Sequence, residues 1–400
     1  CHQIDRDRCV SALIFWQNLP SIHQAPLMRA LATLWDGEIL VVAEAGLSDE
    51  RRAHGWYMPD FAPATLVVSA DHSERDRIAD AHATADCIHL FTGLHAFPET
   101  YRTFVRMQRT AATIGVFLEP GMTGDGWRPV LRKLLYVLQA LRWRRAIDFL
   151  LVTGETGVRW YRGVGFPSSK IHPFGYFVAA DVMSGTVEDA PAADGALRLL
   201  FVGQLIARKG VDELLRALAL NSTRDWRLEV IGEGPERDAL RSLATSLGLA
   251  GRIEWRPFAG NAEARACMAG ADLLVLPSRF DGWGVVVNEA LMAGTRVLVS
   301  DACGAADLIA HAGLGRRYAC GSVTALAAAL AAELERGRVT PQGRRLVRDW
   351  ARRAIAPEVA ADYLRDIVSH RRGLAERPVP PWRRTPLPGL IGAGGAADAI

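Results

Sequence analysis

Short runs of β-branched, leucine and aromatic residues alternate with amphipathic helical stretches along most of this 400-residue chain, and the alternation stops once and starts again. Strands are expected at Ser11–Trp16, Glu38–Ala43, Thr65–Ser69, Cys87–Phe91, Ile114–Leu118 and Phe149–Thr153, with helices near 25–35, 74–83, 98–111, 128–145 and 155–163. Such strands pair in parallel, because each crossover carries a helix, and the sheet is then covered on both faces. Residues 180–196 are small, acidic and turn-rich, as a linker should be. The pattern resumes with strands Leu197–Val202, Arg227–Ile231, Ile253–Pro257, Asp272–Leu276 and Arg296–Ser300. Helices are expected between them at 211–220, 235–247, 261–269 and 285–293, then at 304–311, 322–335 and 340–354. Two successive α/β domains are therefore expected, 1–179 and 197–356. A last helix, 357–372, exceeds what the second domain needs and is expected to cross back to the first. The tail 373–400, with Pro-Val-Pro-Pro and Gly-Ala-Gly-Gly, is expected to be flexible.

Composition removes several classes. The chain is 50% hydrophobic and 23% charged, which disfavours disorder. No run approaches the roughly 18 apolar residues of a spanning helix. The first residues, with acids and no apolar h-region, do not read as a signal peptide. A net charge of +3 is too small to suggest nucleic acid. Six cysteines form no Cys-x-x-Cys pair and read as reduced thiols, so a cytoplasmic protein is expected. The only Asp-x-Asp, Asp5-Arg6-Asp7, lies ahead of the first strand, so neither a metal nor another cofactor is expected.

The chemistry concentrates in 201–310. A strand ends in Gly203, the loop Gln204-Leu205-Ile206-Ala207-Arg208-Lys209-Gly210 follows, and a helix opens at Val211. A strand, a glycine, two adjacent cations and a helix N-terminus make an anion pocket: arginine forks onto phosphate oxygens and lysine acts as a point charge. Ile231-Gly232-Glu233-Gly234-Pro235 repeats the strand-to-glycine turn. Leu273–Leu276 reads as a buried strand leading into Pro277-Ser278-Arg279-Phe280-Asp281-Gly282-Trp283-Gly284 and a helix from Val285. Here two glycines let backbone approach a ligand, Asp281 lies in the loop, and Glu289 sits about one turn into the helix. Together these groups suit a nucleotide-sugar, the cations and free N–H groups on the diphosphate, Glu289 on ribose hydroxyls and Asp281 on the sugar. The competing reading is a solvated cationic loop beside two surface acids.

These segments, Gly203-Gln204-Leu205-x3-Lys209-Gly210, Gly232-x-Gly234-Pro235 and Pro277-Ser278-x2-Asp281-Gly282-Trp283-Gly284-x4-Glu289-Ala290-x2-Ala293-Gly294, resemble the retaining GT-B glycosyltransferases of family 4 (glycosyltransferases group 1). The resemblance is specific over about 197–330. It extends more loosely to Lys170–Phe177, which looks like the strand and loop that close the first domain. It implies two Rossmann-like domains facing a central cleft, an acceptor-binding one at 1–179 and a nucleotide-sugar-binding one at 197–356. It also implies retaining, metal-independent sugar transfer to a hydroxyl of a glycan or lipid-linked glycan. Carried across, Lys209 neutralises the donor diphosphate, Glu289 binds ribose, and Asp281 takes the first acidic position of the Glu-x7-Glu motif. Gly203, Gln204, Gly232, Gly234, Gly282, Trp283, Gly284 and Val285 complete the donor set.

Three departures stand out. Asp281 is one methylene shorter than the usual glutamate. Gln204 occupies the place of a common phosphate-binding arginine, for which Arg208 could substitute. Asn18–Gln24 replaces the usual glycine-rich first loop. The family's histidine after an N-terminal-domain strand is also missing at its nearest register, Phe91. His95 is the catalytic candidate in its stead, weighed against a plain loop role, while His89 within the strand is expected to be packed. His23 and Gln24 are acceptor-side candidates.

The stretch 127–145 interleaves Arg128, Arg132, Lys133, Arg142, Arg144 and Arg145 with Val130, Leu131, Leu134, Leu135, Tyr136, Leu138, Leu141 and Trp143. It is expected either to lie on an anionic membrane, which would make the protein peripheral on the inner face, or to cover the sheet with solvated arginines. A nucleotide-sugar-binding protein without turnover is the alternative function. A dinucleotide-dependent dehydrogenase fares worse, since no strand is followed by Gly-x-Gly-x-x-Gly with an acid about 20 residues on.

Overall fold

The computed structural model describes residues 10–48, 57–93, 96–122, 127–179, 195–258 and 260–387. Among the described residues thirteen strands form two sheets, every pairing parallel. The first contains β1 (Ala12–Gln17), β2 (Glu38–Ala43), β3 (Thr65–Val68), β4 (Cys87–Thr92), β5 (Thr113–Leu118), β6 (Phe149–Thr153) and β7 (Ile171–Phe174), in the order β3-β2-β1-β4-β5-β6-β7. The second contains β8 (Leu197–Val202), β9 (Trp226–Ile231), β10 (Ile253–Arg256), β11 (Leu273–Leu276), β12 (Arg296–Ser300) and β13 (Gly315–Tyr318), in the order β10-β9-β8-β11-β12-β13. Each is a doubly wound sheet whose order reverses at one central pair, β1/β4 and β8/β11, and ligands in such folds bind beyond the carboxyl ends of the strands at that switch.

The chain divides into two compact units. One comprises Cys1–Ala179 with Ala356–Pro380, the other Ala180–Ile355 with the chain from Pro381 on. The helix Pro357–Arg371 thus belongs to the first unit, where it packs on the helix Ala25–Leu34. Pro357 opens it at a position where the missing N–H costs nothing, and Ala360, Ala361, Leu364, Ile367 and Val368 line its buried side. Each unit has its own core. Ile14, Trp16, Val42, Phe91, Phe104, Val116 and Leu150 centre the first, and Leu199, Phe201, Leu214, Trp226, Val230 and Val275 the second.

Three differences from the expected pattern have physical causes. β13 was not anticipated, because Gly-Arg-Arg-Tyr is an edge strand with Arg316 and Arg317 exposed, and it carries no apolar run. The expected helix 304–311 is a 3₁₀ turn, Gly304–Leu308. The tail was expected to be flexible from 373, yet Pro381–Arg384 is a short helix with Trp382 buried, its Nε1 donating to Asp307 Oδ2 at 3.0 Å. Residues 388–400 lie outside the described residues, as do Asp5-Arg6-Asp7 and 180–194 of the expected linker.

Candidate functional site

Three loops leave the carboxyl ends of β8, β11 and β12 and are tied together by main chain and by charge. After β8, Ala207–Lys209 forms a 3₁₀ turn that ends at Gly210 with φ +67°. A side chain at Gly210 would place its Cβ 2.2 Å from the Pro277 carbonyl oxygen, so glycine is what lets the first loop lie on the second. Arg279 N–H donates to Arg208 O at 2.8 Å, and the Arg208 guanidinium donates to Phe280 O at 2.9 Å. Lys209 Nζ meets Asp281 Oδ2 at 2.6 Å, both side chains 14% exposed. Arg279 ties the base of the arrangement to Asp212 at 2.8 Å and Glu213 at 2.9 Å.

The loop after β12 closes the other side. Asp281 N–H donates to Ala302 O, and Gly304 and Ala305 N–H donate to Asp281 O and Trp283 O. A Cβ at Gly304 would lie 2.4 Å from Gly282 O. Sequence reasoning missed Arg279, Asp212 and the Ala302–Ala305 loop. Their contribution is to hold the expected residues, and a turn that only supports its neighbours has no motif of its own.

The helix Val285–Ala293 starts from Gly284, at φ +94°, and no side chain caps it. Its first N–H groups therefore supply donors and the positive end of the helix dipole. Glu289 stands one turn in and makes no hydrogen bond among the described residues. Burial pushes its carboxyl up to about 7, with Arg265 pulling the other way. A carboxyl group raised by desolvation and free of hydrogen bonds among the described residues can accept from hydroxyl donors.

The other expected residues divide. Trp283 is buried and its Nε1 donates to Asn288 Oδ1 at 2.8 Å, so its side chain builds the core and only its main chain faces the loops. Gln204 is exposed on the first loop. Gly232 and Gly234 serve backbone-to-backbone packing, since a Cβ at either would lie 1.9 Å from Gly203 O or 2.3 Å from Leu205 O. Arg256, at the end of β10, is paired to Glu229 and Glu263.

In the first unit, His89 is packed as expected. Its Nδ1 accepts from Trp16 Nε1 at 2.9 Å, its Nε2 meets His82 O, and burial lowers its pKa to about 4. Phe91 is buried against Trp16 and Phe104. His23 lies edge-on to Tyr176, and Gln24 is buried beside it. His95 lies outside the described residues.

A family model described as "Glycosyl transferases group 1" matches residues 187–352. That span holds every one of the three loops. Over residues 187–352 the chain is similar to the group 1 glycosyltransferases. The chain is 37% identical over 120 residues to the lipopolysaccharide glucosyltransferase WaaG of Escherichia coli, covering 29% of this chain and 31% of that protein. It is 31% identical over 179 residues to the glycogen synthase of Mycobacterium tuberculosis, covering 42% and 43%. Such matches span under half the length of the curated relatives. The fold of the described residues is GT-B. A crystal structure of Anabaena Alr3699/HepE in complex with UDP superposes with a TM-score of 0.68 at 15% identity, covering 90% of this chain and all of that one.

Proposed function

We propose that the protein transfers a sugar from a nucleoside diphosphate sugar to a hydroxyl of a glycan or lipid-linked glycan, keeping the anomeric configuration. The observation that carries this is the joining of Lys209, Arg208 and Asp281 to an uncapped helix start and Glu289, within the segment that matches the group 1 glycosyltransferase model. HepE has been crystallised with UDP and UDP-glucose, which makes a uridine donor the first to try.

In the reaction, the bond from the anomeric carbon to the diphosphate oxygen breaks and a bond to the acceptor oxygen forms. The acceptor's proton passes to the departing diphosphate. The demand on the protein is therefore electrostatic: fixed positive charge where negative charge grows. Lys209 and Arg208 supply it, the N–H groups from Val285 onward add to it, and transfer that relies on them persists in a chelator. Glu289 takes the ribose hydroxyls, and Asp281 takes the sugar. Gly203, Gln204, Gly282 and Gly284 shape the donor's bed, with His23 and Gln24 on the acceptor side.

A membrane-borne acceptor is supported by the helix Trp127–Trp143. Trp127, Val130, Leu131, Leu134, Leu135, Leu138 and Leu141 are all exposed, while Ala140 and Trp143 pack inward. A helix that merely covers a sheet turns charge outward; this one turns leucine outward, flanked by Arg132, Lys133, Arg142, Arg144 and Arg145. Apolar insertion plus cationic attraction suits an anionic leaflet, giving a peripheral protein. No helix among the described residues is long and apolar enough to cross a membrane.

The test is a thermal-shift panel of nucleoside diphosphate sugars, followed by transfer and donor hydrolysis assays on Lys209→Ala and Glu289→Ala. Full activity in both variants would refute the assignment.

A further inference from the structure

The turn that closes the site after β12 is itself held from outside. Gly304–Leu308 is a short 3₁₀ turn with few bonds of its own: Ala306 N–H donates to Cys303 O and Ile309 N–H to Ala306 O. Its first two N–H groups, at Gly304 and Ala305, go to Asp281 O at 3.2 Å and Trp283 O at 2.8 Å, and Asp281 N–H returns a bond to Ala302 O. The main chain of Asp281 therefore follows this turn. Ala305 and Leu308 bury the turn's apolar side. Apolar contact has no direction, so it sets how deep the turn sits and leaves its orientation to the polar contacts.

Asp307 carries the only polar side chain of that turn, and the segment 381–387 engages both of its oxygens. Trp382 Nε1 donates to Oδ2 at 3.0 Å. Arg383 donates from Nε to Oδ1 at 3.2 Å and from Nη2 to both oxygens at 2.9 Å. The segment has an anchorage of its own. Trp382 is buried, and Thr385 O accepts from Trp350 Nε1 at 3.0 Å and lies 3.1 Å from His311 Nε2. A carboxylate gripped at once by a planar fork and an indole is fixed in orientation as well as in place. Arg383 is 36% exposed, and a fork open to water adds little to overall stability. Its effect falls on where the turn points.

We propose that the segment 381–387 braces the loop of Asp281, and that Asp307 is a positioning residue that passes the hold of Trp382 and Arg383 through the Gly304 and Ala305 N–H groups. That Asp281 meets the sugar rests on the proposed function; the bracing of its loop does not. Hydrogen–deuterium exchange on the full chain without ligand tests the brace, read by mass spectrometry in peptides spanning 279–284 and 302–306. Asp307→Asn and Arg383→Ala each speed exchange there by about fivefold or more, with little change in melting temperature. Arg384→Ala removes the same charge from an exposed neighbour that has no bond to Asp307, and it leaves that exchange as in the parent. In transfer assays Asp307→Asn and Arg383→Ala lower kcat by about fivefold or more, while donor KM and UDP affinity stay within about twofold. The diphosphate still meets Lys209 and Arg208, and only the group on the reacting sugar is misplaced. The proposal is overturned if exchange in those peptides matches the parent's, if Arg384→Ala speeds it equally, or if kcat is unchanged or falls only together with the melting temperature. Faster exchange in a protein that binds no nucleoside diphosphate sugar would instead refute the transferase reading and leave the brace standing.

Discussion

Lys209 and Asp281 neutralise each other at 2.6 Å in a partly buried setting, and this pairing governs how the site meets a diphosphate. An arriving anion competes with the Asp281 carboxylate for the lysine. Asp281→Asn therefore binds UDP several-fold more tightly by calorimetry while sugar transfer falls, because one like charge has gone and the sugar contact with it. Lys209→Ala loses charge stabilisation at the leaving group, and turnover drops by roughly 10²–10³. Glu289 makes a prediction in pH. Its folded pKa, about 7, lies above the ordinary 4.5, so its contribution to stability is fully present below about 4.5 and lost as pH rises through 7. Glu289→Gln thus gains stability over the parent as pH rises above 4.5, in thermal melts, with the gain levelling off above 7. Ribose hydroxyls favour the ionised form, so donor affinity of the parent climbs as pH rises through 7 and that of Glu289→Gln stays flat.

Among the elements, regular strands and helices were the most legible, and turns the least. Glu38–Ala43, Phe149–Thr153, Leu197–Val202 and Arg296–Ser300 are strands at their expected limits, since buried parallel strands are near-continuous apolar runs. β13 and the Pro381–Arg384 helix escaped, because the first is an arginine-rich edge and the second is fixed by one tryptophan in a proline-rich stretch. Turn glycines were visible but their reason was not. Gly232 stood out only as a turn glycine of the donor set, and its constraint is the Gly203 carbonyl. Gly232→Ala is therefore expected to cost about 1–3 kcal/mol in denaturant titration. The helix Trp127–Trp143 showed its mixture of leucine and cations in sequence, but only the fold reveals which residues face outward. Replacing Leu134 and Leu138 with glutamine abolishes co-sedimentation with vesicles rich in anionic lipid and leaves hydrolysis of soluble donor unchanged; undiminished sedimentation would count against membrane docking.

For the molecule as a whole, the doubly wound architecture and the loops that bring Lys209, Arg208 and Asp281 together were readable because both depend on local patterns: strand–helix alternation, and a glycine, a cation or an acid at fixed offsets. A cavity beyond the first sheet was not readable, since its lining residues Gln17, Tyr136 and Tyr176 lie far apart in the chain and come together only in the fold. A crystal structure of the protein with a nucleoside diphosphate sugar tests the account most directly. The diphosphate should lie within hydrogen-bonding distance of Lys209 or Arg208 and the N–H groups at Val285, with the ribose on Glu289; a donor seated elsewhere, with those groups untouched, would contradict it.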